Sequence, residues 1–450
     1  VERLGVFALN GYSIVVLVIV AYGIAVYGLY RAGLVGADKS LSLLGPALMI
    51  KTRRGRSMLD RWGRFRRFWS AAGDLGVILA AVAMVGVVGL LLLDAYASLS
   101  LTAAQAPTPQ EALGLPGINP IIPIGYGIVA LVVGIVLHEL LHGVLARSQK
   151  VGVKSLGILW CVVPIGAFVE QDDAEMLRAS RRSRDRIAAA GILANFALAV
   201  VFFVILAALL NGGVAPNANG VGVVQVVARS PAANATLAPG DIITAVNGTP
   251  IGSTFQFEGI LAASHPHEVV TVSFYSGSVG GVITRLVTLA QNPTNGTRGF
   301  LGVAVNYLTP AQLKATLVSP LTSASTPQAG LINWLVLPLA TLEPIGAPTT
   351  GFFHLTGPLA SIGPGGFWIG ANLLYWLSWM NLLLGVSNAL PLVPLDGGLL
   401  VRDYAAAVMA RLRKGWSDSR LEEFGGRVAI TSSLVVVLLI VWQFIVPRLG

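Results

Sequence analysis

The chain has 450 residues, 54% of them hydrophobic and 11% charged, with a formal net charge of +9 and a mean hydropathy of +0.74. Soluble globular proteins carry about 25% charged residues, so this composition excludes a soluble domain, and the basic excess reads as membrane topology rather than nucleic-acid binding. The single cysteine, Cys161, excludes an intramolecular disulfide and a cysteine-based metal cluster; it reads as a small apolar filler.

Long apolar runs lie at about 5–30, 71–98, 121–146, 187–211 and 428–446, and a sixth, more aromatic run at about 368–390 contains Asn372, Asn381 and Asn388. Each is long enough to cross a hydrocarbon core of about 30 Å. The first is too long for a cleavable leader and reads as a span. A shorter run at 331–345, ended by Glu343 and Pro344, reads as a surface or half-inserted segment. Basic residues set the direction. Segments 51–67 and 147–186 hold eight Lys or Arg each, and 402–427 holds six. With six spans these segments share one side. Together with Arg31 and Lys39 they place 24 of the 30 basic residues there, which makes that side cytoplasmic and puts both termini outside.

Within the third run, His138-Glu139-Leu140-Leu141-His142 places two histidines at i and i+4, on one face of a helix. They can point at one metal ion, with Glu139 beside them to activate a water. Charged and titratable groups this deep in an apolar helix are costly and therefore point to function. His138 precedes Arg147 by nine residues, about 13 Å along a helix, so the site lies within the membrane, nearer the cytoplasm. Catalytic zinc takes three protein ligands and leaves one position open. The third should come from another span at the same depth. Asp396 is the only acid in the run 388–398, which closes the sixth apolar stretch just before a basic segment. Pro391 and Pro394 prevent a regular helix there, and Gly397-Gly398 allow close backbone approach. An ordinary helix-ending turn with a capping Asp is the alternative for that run.

From about 217 to 307 the texture changes to short alternating runs with Gly, Pro, Asn and Thr. Val221–Val226 reads as a strand, Ser230-Pro231 opens a short helix, and Val246-Asn247-Gly248-Thr249 reads as a hairpin turn. Three sequons, at Asn234, Asn247 and Asn295, fall in this segment. His265, His267 and His354 have no acidic partners at ligand spacing and read as surface or interfacial residues.

HELLH in one span and Asn388-Ala-Leu-Pro-Leu-Val-Pro-Leu-Asp-Gly-Gly398 in a later one resemble the signatures of the site-2 protease family of intramembrane zinc metalloproteases. Pro164–Glu170 resembles that family's membrane-dipping strand, Ala190–Phe196 its next helix with an Asn facing the site, and 217–307 is similar to PDZ domains of membrane proteases. The expected fold is a polytopic α-helical membrane protein of about six transmembrane helices with a small α+β PDZ-like domain. Its parts are 1–120, the first two helices; 121–216, the HExxH core; 217–307, the PDZ-like domain; 308–367, a linker; 368–400, the LDGG helix; and 401–450, a basic loop and final helix.

The resemblance implies one Zn2+ on His138, His142 and Asp396, with Glu139 as catalytic base. Asn195 and Asn388 are candidates for holding an oxyanion or positioning substrate, or else for helix–helix hydrogen bonds. A substrate helix must unwind before it is cut, and Ser155–Glu170, with Gly166, Ala167 and Phe168, is the candidate strand that captures it; Gly166→Pro is expected to cut cleavage and leave zinc in place. Gly222, Val223 and Val224 are the candidate peptide groove of the PDZ-like domain, which either binds peptide ends or only excludes folded ectodomains. The implied partners are single-span membrane proteins and the bilayer of the plasma membrane, in regulated intramembrane proteolysis. A metalloprotease class with Glu as third ligand, and a non-catalytic PDZ-bearing scaffold, stand as rival readings.

Overall fold

The computed structural model describes residues 11–36, 39–112, 114–161, 163–341 and 345–449. Among them, five helical stretches are long and apolar enough to cross a membrane: Arg66–Ser100, Ile124–Ser148, Arg181–Gly213, Pro358–Asn388 and Asp418–Arg448. They match five of the six expected runs. The remaining one begins outside the described residues, and its described part is a helix, Gly11–Arg31. Large apolar side chains stand exposed on the long helices, Val85 and Leu93 on one and Leu434 and Leu438 on another. Chain contacts divide the protein into two units, one of residues 1–114, 128–199 and 380–450, the other of 115–127 and 200–379.

The first unit holds the HELLH helix, Ile124–Ser148. Its C-terminal half packs through Val144 and Leu145 with Leu59, Val153, Ile187 and Ala190 in one buried cluster. A four-stranded antiparallel sheet accompanies it, ordered Leu41–Leu44, Ala47–Thr52, Val153–Cys161, Val163–Gln171. Residues 155–170 are therefore two strands of a hairpin rather than one, and Val163–Gln171 is the sheet's edge. The ring of Phe168 lies over Gly157, where a Cβ would stand 2.3 Å from it; the aromatic covers the gap that a glycine leaves in a strand. The first hairpin, Leu41–Thr52, has no counterpart in the expected elements, although two apolar runs about Gly45-Pro46 mark it.

Charge pairs brace this unit. Arg182 and Arg186 both reach Asp74, at 2.8 and 2.7 Å. Arg184 pairs with Asp403 at 2.9 Å, with side chains 16% and 8% exposed. Removing Asp403 would leave the Arg184 guanidinium without its carboxylate, at a cost of up to about 3–5 kcal/mol, whereas removing Arg184 leaves Asp403 with Arg402 at 3.2 Å.

In the second unit, residues 217–307 form an antiparallel sheet ordered Gly281–Thr288, Val269–Ser276, Ile242–Val246, Val221–Val226, Val303–Val305, with a two-residue strand at Thr249–Pro250 beside Ile242–Val246. Alternate residues of Val269–Ser276 are buried, the period of a strand with one face on a core, and Val221, Val223, Ile243, Phe257, Val272 and Phe274 form that core. The structure corrects the expected groove. Val221–Val226 is an interior strand: Gly222 pairs with Ile242 on one side and Val223 with Val305 on the other. The Gly222 carbonyl accepts from Asn306 N at 2.8 Å, and the Phe352 ring covers Gly222 so closely that a Cβ would stand 2.3 Å from it. Gly222 and Val223 thus offer no free edge to a peptide, while Val224 stands at a bulge that the Val303–Val305 pairing skips; the sheet's edges are Gly281–Thr288 and Val303–Val305.

The structure also corrects, in part, the short run at 331–345. Pro327–Thr341 is a helix with Trp334 and Leu337 buried, Trp334 against Phe203 and Tyr375. It is packed into its unit rather than lying on a surface. Glu343 and Pro344 fall outside the described residues.

Candidate metal centre

His138 and His142 follow one another on one face of the HELLH helix, each 8% exposed, and their Nε2 atoms stand 3.2 Å apart. Asp396 is the first residue of the helix Asp396–Leu412. Its Oδ2 lies 3.3 Å from Nε2 of His142 and 3.5 Å from Nε2 of His138, yet it is buried and accepts no well-formed hydrogen bond. Three donor atoms about a tetrahedral zinc, each at about 2.0–2.2 Å, are separated by roughly 3.3–3.6 Å. The three separations here agree with that to within about 0.1–0.2 Å. Two imidazole nitrogens and an orphaned carboxylate oxygen converging in a buried place are otherwise an unfavourable arrangement, and a cation resolves it. These residues fit a metal, and among the described residues they are the group of His, Cys, Asp or Glu that could hold one.

Local sequence explains how Asp396 reaches this position. A Cβ on Gly397 would stand 2.3 Å from the Leu390 carbonyl oxygen, and one on Gly398 would stand 2.7 Å from the Leu392 backbone. The two glycines let the irregular segment 389–395 lie directly over the first turn of the following helix. Ser432 and Ser433 of the helix Asp418–Ile445 hold that segment, one donating to the Pro391 carbonyl and the other accepting from Val393 N, both at 2.9 Å. Asp396 is not the cap of its helix: Leu395 occupies that place, with no side-chain cap.

Glu139 stands beside the trio. It lines a cavity of about 280 Å3 with His142, Arg184, Asp396, Arg402 and Asp403. Its Oε2 accepts from the backbone N–H of Val169 at 3.1 Å. Val169 belongs to the sheet's edge strand, so this N–H points away from the sheet and toward the centre. Gly166, Ala167 and Phe168 are on the same strand, opposite Leu159, Ile158 and Gly157. Hydrogen-bonded and open pairs alternate along an antiparallel ladder. Since Val169 spends its N–H on Glu139, the N–H of Ala167 faces the free edge too, whereas those of Gly166 and Phe168 face the sheet.

The two asparagines divide. Asn195 is fully buried and its Nδ2 stands 3.0 Å from Nδ1 of His138; the structure brings it to the histidine rather than leaving it free for an oxyanion. Asn388 turns back on its own helix, Nδ2 donating to the Leu384 carbonyl at 3.0 Å. Two partners of the histidines went unmarked in the sequence: the Ile187 carbonyl, 2.7 Å from Nδ1 of His142, and Gly191, against which the His138 ring lies. A backbone carbonyl carries no residue signal; Gly191 did, as the small residue beside Ala190.

Comparison with known proteins shows the family. Residues 126–430 match the model of peptidase family M50, and the chain belongs to that family. A Clostridium perfringens protein whose name describes a zinc metalloprotease is 27% identical over 292 residues, 61% of this chain and 80% of the relative. The regulator of sigma-E protease RseP of Salmonella typhimurium is 25% identical over 222 residues, 48% of this chain and 47% of the relative. Among solved structures, the PDZ domain of the SdrC-like protein from Listeria monocytogenes is 25% identical and matches 19% of this chain and 87% of that domain, with a TM-score of 0.18.

Proposed function

We propose that this chain is an intramembrane zinc metalloprotease of the site-2 type, hydrolysing peptide bonds in or near the transmembrane segments of membrane-anchored proteins. The observation that carries the reading is the triangle of His138 Nε2, His142 Nε2 and Asp396 Oδ2 at 3.2, 3.3 and 3.5 Å, with Glu139 lining the same cavity. Zinc held there supplies Lewis acidity and brings the pKa of a water toward about 7. Glu139 takes a proton from the attacking water. The oxygen adds to the carbonyl carbon, the C–N bond breaks, and Glu139 delivers that proton to the leaving nitrogen. Asn388 turns one amide N–H back on its own helix and Asn195 lies against His138, so the proposal assigns neither as the primary oxyanion donor.

The edge strand Val163–Gln171 is the place for substrate. An unwound segment adding to that edge would run past Glu139, because the Val169 N–H already reaches the Glu139 carboxylate. The cytoplasmic side takes the basic segments, and the domain 217–307 lies outside. That domain is read as PDZ-like. It takes an extended peptide at its Val303–Val305 or Gly281–Thr288 edge, or acts as a size filter. The site-2 likeness supports a regulatory role, a second cut of a membrane-anchored factor already trimmed outside.

The test is zinc content. The full chain purified in detergent should hold about one zinc, and Asp396→Ala should lose binding by more than the roughly 10–100-fold typical of residues behind a ligand. Zinc retained at full affinity by Asp396→Ala would remove Asp396 from the site and the proposal with it.

A further inference from the structure

A neutral imidazole has one nitrogen that donates and one that accepts. For His142 the assignment is settled by its partner: Nδ1 faces the Ile187 carbonyl at 2.7 Å, a group that can only accept, so Nδ1 carries the proton and Nε2 keeps a lone pair. The Ile187 carbonyl sits in the last turn of the helix Arg181–Ala188, where helical carbonyls lack an intrahelical partner. His138 faces an amide, with Asn195 Nδ2 at 3.0 Å from Nδ1, and the Gly191 backbone carbonyl also lies close to its ring. An N–H donated to Nδ1 would leave the proton on Nε2 and cost His138 its lone pair toward Asp396 and His142. The Oδ1 of the same amide is buried without a partner among the described residues. Rotation of the amide by about 180° exchanges its oxygen and nitrogen without moving its outline.

We infer that Asn195 is a positioning residue for His138: its amide oxygen accepts the His138 Nδ1–H, and this fixes Nε2 as the nitrogen that faces the metal. The rotation gives Oδ1 a donor in the His138 Nδ1–H and gives both histidines the same tautomer, while Nδ2 takes the buried place that Oδ1 leaves. The wall around His138 fits this role. Gly191 and Asn195 are four residues apart on one helix and so share a face. A Cβ at Gly191 would stand 2.1 Å from Cε1 of His138, so the ring lies flat against the backbone there, and the amide one turn on meets its Nδ1. The inference rests on reading the trio as a metal centre.

The test compares zinc affinity, by chelator competition in detergent, for the unaltered full chain, Asn195→Leu and Asn195→Asp. Leu has similar volume and no acceptor; Asp keeps an acceptor. Leu should lose affinity about 10–100-fold and Asp should stay within about threefold of the parent, with the melting of the zinc-free chains serving as the folding control. Leu binding as tightly as the parent, or a folded Asp variant losing as much as Leu, would overturn the inference. Imidazole 15N shifts of the zinc-loaded parent give a reading independent of the variants: His138 protonated at Nδ1 agrees, and His138 protonated at Nε2 contradicts. A folded parent that binds no zinc contradicts the metal centre itself, whereas a parent that binds with both variants indifferent contradicts only the role of Asn195.

Discussion

A methyl group at Gly191 would meet the His138 ring at 2.1 to 2.5 Å, well inside van der Waals contact, and the ring also meets His142 and Asp396. Gly191→Ala should therefore push Nε2 of His138 off the metal position and lower zinc affinity at least about tenfold, the scale of losing a positioning contact. Gly212, on the same helix, has nothing within 4 Å of the place a Cβ would take and is the control. Gly212→Ala should leave zinc affinity unchanged, and competition titration of both variants checks the pair. His138, Glu139 and His142 were legible in the sequence because a spacing of four residues on a helix is itself a geometry. Asp396 was legible because an acid directly after a proline-broken segment at matching depth has few other uses. The position of Asn195 beside the site was legible, but its contact was not. Which wall of which histidine an amide meets is decided by the packing of two helices, not by its neighbours in sequence.

A strand's edge has two kinds of N–H, and only one is open to a partner. On Val163–Gln171 the open ones include Val169, engaged by Glu139, and by alternation Ala167. Ala167→Pro removes an open N–H and leaves the hairpin ladder opposite Val153–Cys161 intact; it should reduce cleavage of a membrane substrate about tenfold or more, taking one lost backbone bond at about 1.5 kcal/mol, with zinc content unchanged. Gly166→Pro strikes a ladder bond instead, so the structure makes Ala167 the sharper probe. Equal cleavage by Ala167→Pro and the unaltered chain would exclude strand addition along this edge. The apolar core and the Gly and Pro residues of 155–170 marked extended structure, but the turn of the hairpin was not legible, nor that Leu41–Thr52 would join it from far earlier in the chain. The same limit applies to Val221–Val226. Its alternation gave a strand, while its place inside the sheet depends on Val303–Val305, a pairing that no local pattern contains.

Among the described residues five helices are long and apolar enough to cross a membrane, and a net charge of +9 with basic segments gathered between the apolar runs fits the same kind of molecule. Hydropathy made that scale the most legible, because a span must be apolar over its whole length wherever it packs. Less legible was the division into two units, since single helices such as Ile124–Ser148 and Ala190–Gly213 contribute to both. The first unit contains His138, His142, Asp396, Glu139 and the edge strand, so the proposed chemistry belongs to one unit. In the proposed mechanism Glu139 acts on a water while three other side chains hold zinc. The direct measurement takes the purified full chain and its Glu139→Gln variant in detergent, determines zinc per chain in both, and incubates each with single-span membrane substrates. About one zinc is expected in each, with cleavage by the unaltered chain alone. Cleavage by Glu139→Gln at the parent's rate, or a folded parent without zinc, would contradict it.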